Sequence, residues 1–331
     1  MSRSALRQAP GLAAAEPAAE ARVDGTVSSG RAARRGHVGS VGNVTWRTVL
    51  GVFKLRIGVL IMVSALAGMA IVPASGTDGA SALQVLVLAL SVLLASAAAG
   101  AFNQYAEADS DRLMARTRQR AFASGALPRN GAWLCGIVAL FAGAVAAAAW
   151  WVNGLAAAFV AAGALTYAVV YTLGLKRRTP WNIVIGGAAG SFAVLAGAAA
   201  ADPHIGPLAW GLALVLLLWT PPHFWSLAIA NEEQYRAAGV PMLPVVVGAQ
   251  RTARIVHAHA LALVAVSLAL VPLGAGWSVL VAALLGGAHF LRKTRALVRR
   301  PERRTAMAAF FASMVQLAVL LGGVVLDAAT R

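Results

Sequence analysis

Long runs of apolar residues, each long enough to cross a bilayer as a helix, make up most of the chain. A membrane-spanning helix needs about 20 mostly apolar residues. Nine runs reach that length, and short polar segments separate them. They lie at approximately residues 50–72, 82–105, 132–150, 153–173, 182–200, 207–230, 254–273, 276–294 and 306–327. The pattern predicts an all-α, polytopic membrane protein with nine transmembrane helices.

Charged residues are concentrated in the connections between these runs. The basic connections cover residues 1–56, 112–129, 176–178, 236–254 and 292–304, which nine helices would place on one side of the membrane. The opposite side carries Asp78, Asp202, Asp327 and Arg331. Because Lys and Arg favour the cytoplasmic side, we expect a cytoplasmic N-terminus, an outer C-terminus and cytoplasmic active-site loops. The protein is expected in the inner (plasma) membrane of the cell.

The composition narrows the class of protein further. Hydrophobic residues are 59% of the 331, charged residues are 12%, and the mean hydropathy is +0.72. A soluble domain does not carry so much apolar surface in water, so a soluble globular enzyme, a disordered chain and a fibrous repeat are all excluded. The formal net charge of +16 is confined to the connections, and therefore it does not indicate a nucleic-acid partner. The expected surrounding is the lipid bilayer.

Residues 1–46 lack any apolar run and are rich in Ala, Arg, Gly and Ser. No stretch in them is typical of a secretory signal. We predict a disordered basic N-terminal tail over residues 1–46 and an intramembrane domain over residues 47–331. Cys135 is the single cysteine, which excludes an intrachain disulfide and a cysteine-rich metal site.

The most informative polar motif follows the second apolar run. Asn103, Glu107 and Asp111 are spaced four residues apart and would share one helical face, with Asp109 pointing roughly opposite. All-oxygen ligands of this kind suit Mg²⁺, which substrate phosphates usually complete. The arginines that follow could bind those phosphates; they are Arg116, Arg118 and Arg120. The alternative is a solvated helix end with ordinary surface charges.

Two further polar clusters lie at the cytoplasmic ends of later helices. Lys176, Arg177 and Asn182 follow the fourth run and could bind a phosphate, although a positive-inside loop would have the same composition. Glu232 and Glu233 follow the sixth run, at the depth expected for the first acidic motif. The two acidic patches could therefore form two halves of one metal–diphosphate site.

A polar residue also lies within the sixth run, directly after Pro221 and Pro222. Two prolines remove backbone donors and are expected to kink the helix, which is tolerated inside a membrane where the gap is packed or lines a cavity. The residue that follows, His223, is a candidate proton donor or acceptor. Alternatively, it hydrogen-bonds a neighbouring helix and has no chemical role.

Three motifs, in this order, resemble the protohaem IX farnesyltransferase (haem O synthase) branch of the UbiA-type intramembrane prenyltransferases. They cover residues 103–120, 171–187 and 222–245, and the resemblance extends from Lys54 to about residue 330. It implies nine helices around a lateral cavity that opens to the bilayer. It also implies Mg²⁺-dependent transfer of the farnesyl group of farnesyl diphosphate to a vinyl group of haem B. Water adds in the same reaction, haem O forms and diphosphate is released.

The resemblance also implies roles for individual residues. Asn103, Glu107 and Asp111 would bind Mg²⁺ and diphosphate, and His223 would orient the added water or contact the porphyrin. In the wider superfamily a second acidic motif has Asp at the positions of Asn231 and Tyr235, so Glu232 or Glu233 is left as the second-site carboxylate. The expected substrate contacts are Lys54, Arg56, Arg116, Arg120, Lys176, Arg177, Asn182 and Tyr235. A haem A synthase or another oxidase-assembly protein would receive the product.

Two other functions remain open from the sequence. The nearer one is an aromatic prenyltransferase acting on a quinone precursor, against which the motifs around His223 and Tyr235 argue. The other is a secondary transporter whose carboxylates couple cations. That class predicts charges near the midplane and inverted repeats, whereas the acids here lie at one face beside arginines.

Overall fold

The structure, a computed structural model, describes residues 45–73 and 80–331. Within these ranges all regular elements are helical and no strand occurs, which confirms the all-α expectation. Residues 1–44, which make up most of the predicted tail, and Asp78 lie outside the described residues. The boundary between tail and domain therefore stays a prediction.

Fifteen α-helices and one π-helical segment follow one another along the described ranges. The first eight elements are α1 (Trp46–Val52), α2 (Leu55–Ala70), α3 (Ala82–Ala106), α4 (Ala108–Asp111), α5 (Ala121–Ser124), α6 (Gly131–Trp151), α7 (Gly154–Leu165) and the π-helical segment (Thr166–Leu175). The others are α8 (Asn182–Gly186), α9 (Ala188–Ala201), α10 (Pro207–Ala230), α11 (Glu232–Ala237), α12 (Leu243–Val247), α13 (Ala249–Ala269), α14 (Trp277–Arg299) and α15 (Arg303–Thr330).

The described residues contain seven helical stretches that are long and apolar enough to cross a membrane. The pair α1–α2, bent by 45°, adds an eighth if it forms one span. Helix α14 lies at the predicted eighth run and has 23 residues, but Arg292, Lys293, Arg295 and Arg299 near its end lower its mean hydropathy. The chain is a multi-pass membrane protein, and the number of nine spans stays a prediction.

Helices α2 and α9 cross in backbone contact because glycines occupy the crossing point. A Cβ atom at Gly68 would lie 2.1 Å from the carbonyl oxygen of Val194, and one at Gly197 would lie 1.7 Å from that of Ala65. Small residues permit such close approach between helices in a membrane. The crossing fixes α2 against α9, while α2 also packs on α3. The amino-terminal end of α2 is thereby positioned beside α3.

Helix α10 packs on α9, α13 and α15 and contributes to a core that they share. Pro221 and Pro222 lie inside it, yet the helix continues through both. Because proline has no N–H, the carbonyls of Leu217 and Leu218 lack their usual helical partner. The prolines therefore interrupt the hydrogen-bond ladder one turn before His223 without ending the helix.

Candidate active site

Asn103, Glu107 and Asp111 gather at the carboxyl-terminal end of α3. The prediction of one uninterrupted helical face needs a correction, because α3 ends at Ala106, α4 begins at Ala108, and Glu107 links them. Two backbone hydrogen bonds bridge this link: Glu107 N donates to the Asn103 carbonyl at 3.0 Å, and Asp111 N donates to the Glu107 carbonyl at 2.8 Å. The four-residue register therefore survives the break.

These three side chains are buried rather than solvated. Asn103, Glu107 and Asp111 expose 2%, 3% and 0% of their surface. By contrast, Asp109 exposes 70% of its side chain and pairs with two surface arginines. A solvated helix end would leave all of these acids in water, so the geometry favours a site over that alternative.

Each buried carboxylate is paired with one cation. Lys176 Nζ lies 2.5 Å from Glu107 Oε2, and Arg120 Nη1 donates to Asp111 Oδ2 at 2.8 Å. Both cations are themselves largely buried, with 12% and 25% of the side chain exposed. Since a buried charge without a partner is strongly destabilising, these pairs explain how two acids remain in the interior.

Each carboxylate uses only one of its two oxygens in these pairs. Glu107 Oε1 and Asp111 Oδ1 are buried and have no hydrogen-bond partner among the described residues. A buried acceptor without a partner costs about 1–3 kcal/mol, and carboxylate oxygens are ligands that hard divalent cations prefer. The two oxygens therefore fit a divalent cation. No cluster of three or more His, Cys, Asp or Glu suited to a metal occurs in the described ranges, so ligand and water oxygens would complete the coordination.

Lys54 reaches this site from a turn between α1 and α2. Its φ of 48° and ψ of 40° lie in the left-handed region, and no other non-glycine residue of the described ranges has a positive φ. Such outliers cluster at functional sites. The ammonium donates to Asn103 Oδ1 at 2.6 Å and to the Tyr167 hydroxyl at 3.2 Å. The side chain packs beside Gly100, where a Cβ would make an ordinary contact 3.4 Å from Lys54 Cδ. Three basic side chains thus surround two acids, an arrangement that suits a polyanion.

The π-helical segment forms the wall opposite α3. In a π-helix, backbone hydrogen bonds join residues five apart. The Thr172 side chain spans the same interval, since its Oγ1 donates to the Tyr167 carbonyl at 2.8 Å. Thr172 Oγ1 also accepts from Asn103 Nδ2 at 3.1 Å. Tyr167 and Thr172 were not predicted as site residues. The available indication was two polar groups five residues apart in an apolar run, since π-helical turns are frequent at functional sites.

Other predicted phosphate ligands are exposed arginines close in sequence to the paired residues, called the rim of the site. Arg56, Arg116 and Arg177 expose their side chains and take no part in the two buried pairs. Tyr235, in α11, is buried. Burial raises the pKa of its phenol, while the charges of Arg116 and Arg120 lower it. Tyr235 therefore lies within electrostatic range of the rim, and the binding roles of these residues stay predictions.

The remaining predicted polar residues are placed differently. Asn182 is fully buried, its Nδ2 donates to the Thr179 carbonyl at 2.7 Å, and its Oδ1 has no partner in the described part of the chain. Glu232 pairs with Arg236 at 2.5 Å, and Glu233 is exposed. Neither glutamate forms a metal-binding group of acids with the buried pair. Their placement gives no support to a second metal site, which stays a prediction.

His223 lies between two aromatic rings. The Trp219 ring centroid is 4.3 Å from the imidazole and that of Phe310 is 4.4 Å from it, both in stacked orientation. Nδ1 lies 2.7 Å from Ser313 Oγ of α15. The histidine thus makes the hydrogen bond to a neighbouring helix that the sequence left open, and it does so through Nδ1, with no hydrogen bond at Nε2 among the residues described.

Two grooves flank the site. One, of about 240 Å³, is lined in part by Arg47, Gln104 and Arg120, and so reaches the arginine that pairs with Asp111. The other, of about 630 Å³, follows the outer face of the π-helical segment and has no acidic residue in its lining. Neither matches the expected lateral cavity, which stays a prediction.

Known proteins are similar to most of this chain. The family model described as "UbiA prenyltransferase family" matches residues 61–315. A relative from Paramagnetospirillum magneticum, named protoheme IX farnesyltransferase 2, is 53% identical over 281 residues, which are 85% of this chain and 96% of the relative. The family and branch expected from the three motifs are therefore confirmed.

Solved structures share the fold at low sequence identity. A digeranylgeranylglyceryl phosphate synthase aligns with a TM-score of 0.70 and 17% identity, over 86% of this chain and 99% of that one. A UbiA homologue from Archaeoglobus fulgidus, bound to DMAPP and Mg²⁺, aligns with a TM-score of 0.64 and 16% identity, over 82% and 99% of the two chains. These structures show the fold, and the match over residues 61–315 together with the 53% identical relative establishes that the chain belongs to the UbiA prenyltransferase family.

Proposed function

We propose that this protein transfers the farnesyl group of farnesyl diphosphate to a vinyl group of haem B, with addition of water, to give haem O and diphosphate. The observation that carries the proposal is the pair of buried carboxylates, Glu107 and Asp111, each held on one oxygen and free on the other. The porphyrin acceptor is inferred from the similarity to the farnesyltransferase of Paramagnetospirillum magneticum and from the motifs around His223 and Tyr235.

Asn103, Glu107 and Asp111 would hold Mg²⁺ in this reaction. Bound there, Mg²⁺ would neutralise charge that builds on the departing diphosphate. The choice of metal is supported by the related Archaeoglobus protein, which binds Mg²⁺ together with DMAPP. The two free carboxylate oxygens are the donors that such an ion needs.

The cations of the chain bind and orient the diphosphate. Lys54, Arg120 and Lys176 lie within hydrogen-bond distance of the acidic motif, so they are also the nearest donors for phosphate oxygens. Arg116 and Arg177 at the rim would add further donors. Fixed charges at a leaving group are often the largest contribution to catalysis, because they need no reorganisation during the reaction.

The bond changes follow from this charge distribution. The allylic C–O bond breaks and its electron pair stays with the diphosphate, leaving a farnesyl cation. A haem vinyl carbon then bonds to the cation, and water adds to the second vinyl carbon with loss of a proton. The apolar helices of the bundle exclude bulk water, which would otherwise capture the cation first.

We also propose that the site opens to the cytoplasmic side of the inner membrane, where a haem A synthase or another oxidase-assembly protein would take up haem O. Reporter fusions test the topology. Fusions after Arg129, Arg178 and Arg300 should report the cytoplasm, and fusions after Asp202 and Arg331 should report the outer side. A fusion on the opposite side from its expected one contradicts the nine-helix topology.

The reaction is tested by incubating membranes that contain the protein with haem B, farnesyl diphosphate and Mg²⁺, followed by mass analysis of the haem pool. We expect haem O to form and to depend on both farnesyl diphosphate and Mg²⁺. Membranes without the protein are the control. Unmodified haem B together with a prenylated quinone precursor would instead indicate the other aromatic prenyltransferase activity. A cation-coupled transporter would release no diphosphate.

A further inference from the structure

The hydrogen bonds around Ser313 determine which nitrogen of His223 carries the proton. Ser313 Oγ donates to the Phe310 carbonyl at 2.6 Å. A hydroxyl has one hydrogen, and with that hydrogen on the Phe310 carbonyl Ser313 Oγ accepts in its contact with His223 Nδ1 at 2.7 Å. This hydrogen-bond network assigns the imidazole proton to Nδ1.

This protonation leaves an unshared electron pair on Nε2, because a neutral imidazole has one N–H and one acceptor nitrogen. Nε2 makes no hydrogen bond within the described ranges, where the ring bonds through Nδ1. Trp219 and Phe310 cover the two faces of the ring, and Phe224 packs edge-on to it with the ring centroids 5.1 Å apart, so only the rest of the edge remains to make contacts. The lone pair of Nε2 lies in the ring plane and points out of that edge.

The surroundings of the imidazole are also fixed in place. Trp219 Nε1 donates to the Ser313 carbonyl at 2.8 Å, so one residue of α15 holds both the histidine and the indole that stacks on it. The arrangement joins α10 to α15 through two hydrogen bonds. A ligand at Nε2 would therefore meet a ring whose orientation is already determined.

We propose that Nε2 of His223 binds the iron of the acceptor porphyrin as an axial ligand, and that Ser313 is the positioning residue that keeps this nitrogen unprotonated. The proposal rests on the proposed function, since it identifies how that same reaction holds its acceptor. Nε2 donates its electron pair to iron, and neither a proton nor another bond is lost. Neutral imidazole whose other nitrogen donates to a fixed acceptor is the form in which proteins use histidine as a metal ligand.

Iron is favoured over a water molecule as the occupant because of the aromatic sandwich. The side chains of Trp219 and Phe310 offer no further acceptor or donor at the open edge, whereas a bound water needs two to four polar partners. A porphyrin presents one metal atom to one nitrogen, and its apolar plane suits an aromatic surrounding. This chemistry matches a single free lone pair.

The test compares binding of haem B with binding of metal-free protoporphyrin IX to the purified full-length protein. If Nε2 ligates iron, wild-type protein should bind haem B about tenfold or more tightly than the metal-free ring, a difference of about 1.4 kcal/mol or more. His223→Ala and the bulkier His223→Phe should bind both porphyrins equally. Their haem spectra should also lose the signature of imidazole ligation, and added imidazole should restore it in His223→Ala.

Variants of Ser313 are tested by their preference for haem B over metal-free protoporphyrin IX, which a loss of packing alone would not change. Ser313→Ala removes the acceptor for Nδ1–H and should weaken haem B binding about tenfold, with little effect on metal-free protoporphyrin IX. Ser313→Thr keeps the hydroxyl and should retain the wild-type preference for iron. The matched control is Ser267→Ala, because Ser267 is an equally buried serine that donates to the Leu263 carbonyl; it should behave like wild type.

The outcomes separate this proposal from the proposed function. If membranes make haem O but His223→Ala and His223→Phe keep the wild-type preference for iron and its spectrum, axial ligation is wrong and the reaction stands. Equal binding of haem B and the metal-free ring by wild-type protein also overturns ligation. If membranes form no haem O and the purified protein binds neither porphyrin, both proposals fail.

Discussion

Buried carboxylates at two places in this protein differ in how completely their oxygens are hydrogen-bonded. Asp327, near the end of α15, has donors beside both oxygens: Oδ2 accepts from the Gly276 N–H at 3.1 Å and from a neighbouring arginine, and Oδ1 shares the single hydroxyl hydrogen of Ser278, 3.2 Å away, with the Gly323 carbonyl. Glu107 and Asp111 are equally buried, but each has one oxygen without a partner in the described part of the chain.

The difference shows that burial and an ion pair do not by themselves identify a functional acid, because both groups have them. Asp327 fits so closely that a Cβ on Gly276 would lie 1.8 Å from Oδ1. It joins the start of α14 to the end of α15 and leaves no space for a ligand. The free oxygens of Glu107 and Asp111, in contrast, are consistent with a site that a cation completes.

Removing one charge from the acidic site should have the largest effect on activity. Asp111→Asn keeps the size of the side chain but removes half of the buried negative charge that would hold Mg²⁺. We expect haem O formation to fall by at least about a hundredfold, with normal amounts of folded protein in the membrane. Glu107→Gln should behave similarly. Losses of folded protein as large as the losses of activity would assign these acids a structural role like that of Asp327.

Lys176→Gln should have the next largest effect. It removes the cation beside Glu107 and one proposed donor to diphosphate, and a hydrogen bond to a charged group contributes about 1.5–3 kcal/mol. The KM for farnesyl diphosphate should therefore rise about tenfold or more. Steady-state kinetics in membranes measures this. Arg178→Gln, an exposed change two residues away, is the control and should leave KM unchanged.

Asp327→Asn should lower stability and leave turnover unchanged, which is the opposite of the result expected for Asp111→Asn. The amide would place an N–H₂ group beside donors that now bind Oδ1 or Oδ2, which should destabilise the fold by about 1–3 kcal/mol. Thermal unfolding in detergent should show the loss, whereas haem O formed per mole of folded protein should match wild type. A loss of turnover without a loss of stability would break the distinction between the two groups.

The smallest effect is expected from Asp109→Asn, in the same motif but on its exposed side. Ion pairs at a surface contribute about 0–1 kcal/mol, so turnover should change by no more than about fivefold. This variant separates loss of charge near the site from loss of charge within it. An effect equal to that of Asp111→Asn would favour the solvated helix end.

Much of the fold follows from hydropathy, because each long apolar run must be a helix in a bilayer. The runs predicted at 82–105 and 182–200 correspond to Ala82–Ala106 and to the stretch Asn182–Ala201. The spacing of four residues between Asn103, Glu107 and Asp111 predicted that they lie together, because residues four apart share one face of a helix. Local period and composition were sufficient for both.

Other features depend on contacts that no local pattern contains. The π-helical turn at Tyr167–Thr172 has the same apolar composition as an α-helix, and nothing about lysine as a residue predicts a left-handed Lys54. Ser313 lies 90 residues from His223, so its pairing with the imidazole arises only when α10 packs on α15. The unbonded oxygens of the acids are likewise visible only once their partners are placed.

We infer that the free oxygens of Glu107 and Asp111 hold a divalent cation together with a diphosphate. Titration of the purified protein with Mn²⁺, followed by EPR with and without inorganic pyrophosphate, measures this binding. We predict that wild type and Asp327→Asn bind Mn²⁺ more tightly when pyrophosphate is present, and that Asp111→Asn and Glu107→Gln bind it about tenfold or more weakly. Equal Mn²⁺ binding by all four proteins would contradict the claim.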